Sequence, residues 1–184
     1  MALRPIAFVL AIASLTGCSS TYSAPPYSVT ANRFADMQDL AHATAHGVRV
    51  GRFQAEHGDV SVPCRFGGAI DTPAGTFSAY LRDAIVSELR TAGIYSDAAP
   101  VTLTGVVEDV GLTSMERGQW TMVLTVYSSN GTSVQILERH DFTTSAVGSA
   151  ACAQAADELV PAVQDLVAKL VHDPKFEALV APGR

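Results

Sequence analysis

The chain has 184 residues, a net charge of −6 and only 16% charged residues, long enough for one domain with a real core. An acidic chain has no basic patch to meet phosphate backbones, so no nucleic-acid partner is expected. Ala, Val, Ser, Thr and Gly dominate a sequence that is 48% hydrophobic, which suits a compact domain and not a disordered chain.

The opening Met1-Ala2-Leu3-Arg4 is a short basic start, and Pro5 to Leu15 is almost wholly apolar. That run falls far short of the roughly 20 residues a spanning helix needs. A basic start, a short apolar stretch and small residues at a cut point make a secretory signal. Its end, Leu15-Thr16-Gly17-Cys18, resembles the lipobox read by the lipoprotein signal peptidase. The resemblance implies cleavage after Gly17, a diacylglyceryl thioether on Cys18, and a further acyl chain, such as palmitate, on the new amino group. The alternative is an ordinary secretory signal followed by a chance cysteine. Two or more acyl chains anchor a protein stably where one does not. Ser19 in place of an aspartate favours, by analogy with enterobacterial sorting, the outer membrane and its periplasmic face. Residues 1–17 are thus expected to be a signal peptide. Residues 18–29, with Pro25-Pro26, read as the acylated cysteine and a flexible tether. Residues 30–184 form a single domain.

Two cysteines remain, Cys64 and Cys152. Extracytoplasmic thiols are normally oxidised, so one disulfide is the simplest reading of an even pair; two buried free thiols are the alternative. The absence of a Cys-x-x-Cys motif argues against a redox site.

From Thr30 to about Ala45, Phe34, Met37 and Leu40 lie three apart, a weak helical signal. Gly47 to Gln54 alternates, with Val48, Val50 and Phe53 as candidates for one buried set and its neighbour, and reads as a strand. Asp59 to Cys64 is a short strand or arm bounded by Gly58 and Pro63, and Arg65-Phe66-Gly67-Gly68 turns. Thr76 to Ala92 is the clearest helix: Phe77, Tyr80, Leu81, Ala84, Ile85 and Leu89 share one face. Thr76 caps its start and Gly93 its end. Strands follow at Val101 to Val110, Gln119 to Ser128 and Thr132 to Thr144, the middle one with Trp120, Met122, Leu124 and Val126 on one face and Thr121, Val123, Thr125 and Tyr127 on the other. A longer polar turn covers Gly111 to Gly118, and Ser129-Asn130-Gly131 predicts a type I′ hairpin turn. Ser149 to Val171 is a second long helix that Pro161 should bend or break. Asp173-Pro174 opens a short last helix. The order strand(s)–helix–three strands–helix implies an α+β two-layer sandwich: a mainly antiparallel sheet of about four strands with two long helices on one face.

Chemistry is sparse. No Gly-x-Ser-x-Gly is present. His140 and Asp141 are neighbours in a strand, so their side chains point to opposite faces, and they read as a pair on a solvated edge. His42 and His46, with His57 beyond, have a spacing that could hold zinc on a helix, but no third ligand is obviously placed and surface histidines are the plainer reading. The glycines at 67, 68 and 75 precede a helix whose amino end could take an anion; with Arg65 the only nearby cation, a simple turn is preferred. Trp120 and Tyr127 read as sheet packing before a sugar platform, and Asn130-Gly131-Thr132 as a turn before a glycosylation sequon. No catalytic residue, metal ligand or cofactor is assigned.

Val62-Pro63-Cys64-Arg65-Phe66, Thr76 to Ala84, Ala99 to Gly105, Ser128-Ser129-Asn130-Gly131 and Pro161 to Leu166 resemble a group of uncharacterised proteobacterial lipoproteins. The element order looks, more loosely, like YajG-type and LptE-type envelope lipoproteins. This implies a non-catalytic binding or scaffolding lipoprotein with an envelope protein partner. The alternative is a binder of a small lipidic ligand in a groove between helices and sheet. Fold-level analogy transfers no functional residue.

Overall fold

The computed structural model describes residues 20–30, 46–59, 61–115 and 117–183. The signal segment, Cys18, His42 and, beyond Thr30, the weak helix expected up to Ala45 lie outside them. The strands are β1 (Thr21–Ser23), β2 (Val48–Ala55), β3 (Val62–Pro63), β4 (Ala69–Asp71), β5 (Val101–Thr113), β6 (Arg117–Ser128) and β7 (Ser133–Thr143). The helices are α1 (Phe77–Thr91), α2 (Gly148–Asp157), α3 (Leu159–Val171) and α4 (Phe176–Val180).

The main sheet runs β2-β5-β6-β7, with β2 parallel to β5 and the rest an antiparallel meander. Alternation decides its faces. Trp120, Met122, Leu124 and Val126 are all fully buried, opposite the inward residues Val134 and Ile136 of β7. Helix α1 covers β2 and β5, while α3 covers β7 and β6. The result is the expected α+β sandwich of two layers. In β2 the buried set steps from Val50 to Phe53 because a bulge intervenes: Val50 pairs with Leu103 but Phe53 with Gly105. Arg82 of α1 donates from Nε to the carbonyl of Gly51 inside that bulge, at 2.9 Å.

Helix α1 has the ends its sequence specifies. The Thr76 hydroxyl accepts from Ala79 N, and Gly93 takes φ 74°. The second long helix is two. Proline cannot donate to the residue four before it; the chain breaks at Glu158 and restarts at Leu159, which places Pro161 within the first turn, where a missing N–H costs nothing. The last helix starts later than Asp173-Pro174 suggest: Lys175 is its N-cap, without a side-chain cap, and Asp173 accepts from Lys175 N in the turn before it.

Three further features differ from the sequence reading. The loop between β6 and β7 is not a type I′ turn, which needs positive φ at both central residues. Only Gly131 has it, at 91°; Ser128 N donates to Thr132 O and Gly131 N to Ser128 O, giving a three-residue loop with a glycine bulge. Asn130 is occupied elsewhere: its Nδ2 donates to the carbonyls of Ala178 and Ala181, tying α4 to the hairpin. A second, small sheet of order β1-β4-β3 also exists.

The third difference concerns the segment expected to be a flexible tether. Residues 21–23 are a strand, parallel to β4, and the chain beyond them is a strap across the helices. Ala24 is buried, Tyr80 Oη donates to Pro25 O at 2.9 Å, and Gln164 donates to Ser28 O at 2.7 Å. The Tyr27 ring meets that of Tyr80 edge-on, and its hydroxyl bonds to Glu88. Apolar surface and unpaired backbone carbonyls explain why these residues are not free: Tyr22 and Tyr27 pack on the core, and the strap's carbonyls find side-chain donors.

Burial pushes the Tyr80 hydroxyl up from 10.0 to about 12. The folded state therefore holds this proton more tightly than the unfolded one, so the stability it contributes is complete below pH 10 and is lost as pH rises toward 12. Tyr80→Phe should flatten that alkaline loss in chemical denaturation measured at pH 9 and pH 11. It should also cost about 1 kcal/mol at neutral pH and speed proteolysis within residues 24–29. A variant with the alkaline slope of the parent would show that Tyr80 is not its source.

Candidate functional site

The end of the domain where the chain enters carries the sequence features singled out above. Strand β1 aligns Thr21 with Ala69, and Ala69 N donates to Ser20 O. The first described residue thus sits beside the turn at Gly68. Strand β3 lies on the other side of β4 and leads into Cys64. Cys64 is disulfide-bonded to Cys152 of α2, with Cα atoms 5.9 Å apart. The bond joins the small sheet to the helical layer, and α2 itself packs against β4, β1 and the turn. Of the two readings left open for these cysteines, the disulfide is the one observed. Cys18 lies outside the described residues, but only Ser19 separates it from Ser20.

The turn that follows Cys64 is a one-turn 3₁₀ segment, Arg65–Gly67, with Phe66 in the left-handed region at φ 53°. Arg65 Nη1 reaches the carbonyls of Ser145 and Ala146 at 3.4 and 3.5 Å. It thereby holds the loop before α2 against the turn after β3.

His140 is placed differently from the sequence reading. It lies on the inward face of β7, opposite Trp120, and not on a solvated edge. Its ring nitrogens meet Asp165 at 2.9 Å and Glu158 at 3.2 Å. The alternation of β7 carried the signal, since it puts Glu138 on the same face, where it pairs with Lys169 at 2.8 Å. Both contacts fasten α3 to the sheet. Asp141 points away, as expected, and takes a hydrogen bond from Gln119.

The other candidate residues are structural where they are described. Trp120 is fully buried; its Nε1 donates to Ala155 O and its ring lies 6.0 Å from that of Phe77. The amino end of α1 is occupied by the chain's own carboxylate. Asp59 accepts from Ser78 N at 3.0 Å and bonds to its hydroxyl, so an anion would have to displace it. No group of three His, Cys, Asp or Glu side chains among the described residues could hold a metal ion. His46 and His57 are both exposed.

The interface between helices and sheet is filled by Leu81, Leu124, Leu159, Leu166 and Trp120, all fully buried. The clefts lie outside it. One of about 560 Å³ runs along β2 and the start of α1, lined by Arg52, Gln54, Asp59, Thr76, Ser78 and Arg82 among others. Its mixed charge does not suit an acyl chain. A smaller one of about 210 Å³ lies between β3 and β5 and includes His57, Asp59 and Glu108. On the outward face of the sheet, Thr125 and Gln135 donate to the Glu108 carboxylate, at 2.5 and 2.7 Å, and hold its pKa below the ordinary range. Tyr127 and Leu137 stand out from that face, 43% and 42% exposed.

With the geometry described, the likeness to known proteins is one of fold. A solved Xanthomonas campestris protein of the family DUF330 superposes with a TM-score of 0.54 at 15% identity, over 83% of this chain and 95% of that one. An uncharacterised protein reaches 0.49 at 10% identity, over 84% and 97%. A candidate lipoprotein from Caulobacter crescentus reaches 0.43 at 13%, over 80% and 97%. No family model matches the chain, and no curated protein does.

The disulfide closes a loop of 88 residues in sequence separation. In the chain-entropy model that stabilises the fold by about 4.5 kcal/mol, with strain and residual unfolded structure reducing it. Cys64→Ala with Cys152→Ala should therefore lower unfolding free energy by about 2–4 kcal/mol in urea titration. Amide exchange should rise first in β1, β3 and β4. Equal stability with and without the bond would show that the small sheet is held by packing alone.

Proposed function

We propose that this protein is a lipid-anchored, non-catalytic binding or scaffolding subunit of the bacterial cell envelope. The observation that carries the proposal is the junction of anchor motif and fold: β1 begins at Thr21, three residues after the lipobox cysteine. The disulfide supports an oxidising compartment, and no described helix is long and apolar enough to cross a membrane. In this reading the acylated Cys18 is the attachment point, the periplasmic face of the outer membrane is the location, and a second envelope protein is the partner. The likeness in element order to YajG-type and LptE-type lipoproteins belongs to the same proposal.

Several observations favour a presenting role over a catalytic one. The interior is filled, and the clustered titratable groups at His140, Glu138 and Asp59 are spent on holding helices in place. The outward sheet face, with Tyr127 and Leu137 on a lattice of threonine, glutamine and charged side chains, is the broad surface left for a partner. Mixed polar surfaces with a few aromatic anchors are typical of non-obligate interfaces. Holding that surface at the membrane raises its local concentration near other membrane-bound partners.

Cys18→Ser should abolish acylation and move the protein from the membrane pellet to the soluble periplasmic fraction. A mutant that still pellets would refute the anchor. Chemical crosslinking in membranes followed by affinity capture should return a stoichiometric envelope protein, and Tyr127→Asp with Leu137→Asp should reduce its yield. Capture of no stoichiometric partner would count against scaffolding, and native mass spectrometry showing a co-purified lipid would favour the carrier reading instead.

A further inference from the structure

We infer that the end of the domain formed by Phe66, Val147 and Met115 is a membrane-seating tip, inserted among the lipids that hold the anchor. The inference rests on the proposed acylation of Cys18. Among the described residues, three of the five large apolar side chains that stand exposed lie at this one end: Phe66 is 91% exposed, Met115 64% and Val147 63%. Phe66 and Val147 are neighbours, since the Phe66 ring lies over Gly148 so closely that a Cβ there would sit 2.3 Å from it. Met115 occupies the turn between β5 and β6. That turn is flanked by Ser114, whose hydroxyl approaches the Cys64 sulfur to 3.7 Å, and by Arg117, which pairs with Thr143 just before the Val147 loop.

Two of these residues serve the fold poorly where they stand. Phe66 takes the left-handed conformation, which costs a bulky residue and favours glycine or asparagine. Val147 is the N-cap of α2 and makes no capping bond, at a position that favours serine, threonine, aspartate or asparagine. The structure nevertheless holds both rigidly in place. Cys64–Cys152 fixes the two loops at their bases, Arg65 ties them together, and Ser145 N is bonded to Gln154 Oε1.

The length of chain between anchor and fold selects a lipid surface over another protein. Strand β1 runs parallel to β4, so its N-terminal end, at Ser20, lies beside Gly68 and hence at the Phe66 turn. From Cys18 to Ser20 the chain spans at most about 7 Å. An acylated cysteine on so short a lead brings this end, and no other, against the bilayer. Exposed aromatic and aliphatic side chains are favoured there, a few ångströms into the headgroup and acyl boundary.

The test uses the mature acylated protein reconstituted in phosphatidylethanolamine–phosphatidylglycerol vesicles, with brominated acyl chains as quencher. Trp120 is the natural tryptophan and is fully buried, so it gives a common background. Phe66→Trp and Val147→Trp should each show a blue-shifted, strongly quenched added signal. Tyr127→Trp, about 30 Å away along β6, should show neither. Phe66→Gly with Val147→Ser, which remove the two unfavourable local choices, should melt no lower than the parent, so a loss of seating in them is not unfolding. Met115→Trp should be quenched less in that double variant than in the parent, and equal quenching in both would count against the tip. Vesicles that float with acylated protein but quench positions 66 and 147 no more than 127 would overturn the tip and leave the anchor standing. Protein that lacks acyl groups by mass and stays off the vesicles would overturn both.

Discussion

One covalent bond locks the place where the small sheet meets the helical layer. The small sheet β1-β4-β3 has two- and three-residue strands, too short to be stable alone. The helix that packs on it is α2. Cys64–Cys152 fastens it to α2, and α2 in turn takes the Trp120 indole proton on Ala155 O. One line from β1 to the core therefore runs through β4, β3, the disulfide, α2 and Trp120, beside the direct packing of α2 on β1 and β4 and the burial of Val62 and Ile70. Remove the sulfur link and β1 keeps its backbone bonds to β4, its packing on α2 and the apolar contact of Tyr22 and Ala24, but loses the covalent tie that holds β3 and α2 together.

The layer interface has a second kind of fastening. Lys169–Glu138 and the His140 contacts to Glu158 and Asp165 join α3 to β7. Glu138 is almost fully buried while Lys169 is half exposed. Pairs of that kind add little net stability once desolvation is counted. What they supply is a defined position. A helix with an apolar stripe as broad as that of α3 could slide along a sheet of Val, Leu and Ile with little loss of buried area; polar contacts at two points along β7 allow one register. His140 also holds the break between α2 and α3, because Glu158 is the residue where the helix changes direction.

The long periodic elements were legible in the sequence because each carries its own evidence. In α1 the apolar spacing, Thr76 and Gly93 agree, and β6 alternates over its whole length. Pro161 announced the helix break. The small sheet was not legible, because three residues such as Thr21-Tyr22-Ser23 show no period, and Pro25-Pro26 suggested a linker where the chain is a strap. The strap is stabilised by partners far away in sequence, Tyr80, Glu88 and Gln164, and local patterns carry no trace of them. His140 is an intermediate case. Counting inward positions from Val134 and Ile136 would have placed it facing the helices, but its acidic partners come from another element. The hairpin failed for a subtler reason: Asn-Gly is compatible with two loop lengths, and the pull of Ala178 and Ala181 on Asn130 favours the longer. For the anchor end, Cys64 and Cys152 were readable as a pair, whereas their role in holding the chain's entry strand depends on topology alone.

The strap changes what kind of anchor this would be. A flexible tether of a dozen residues would let the domain tumble freely, and would act only through local concentration. A lead of two residues acts on orientation instead. Strands β6 and β7 run from the Arg117–Thr143 pair to the Tyr127–Ser133 pair, so with the first end at a bilayer the hairpin at Ser129–Gly131 stands about 30 Å from it. The outward sheet face then rises from the membrane and faces sideways along it. A partner fixed in the same membrane could meet that face without first paying to orient it, which is the main entropic cost of docking two specific patches. On the proposed anchoring, rigidity at the entry strand and a broad polar sheet face would act together, and the disulfide that secures the first would help set how the second is presented.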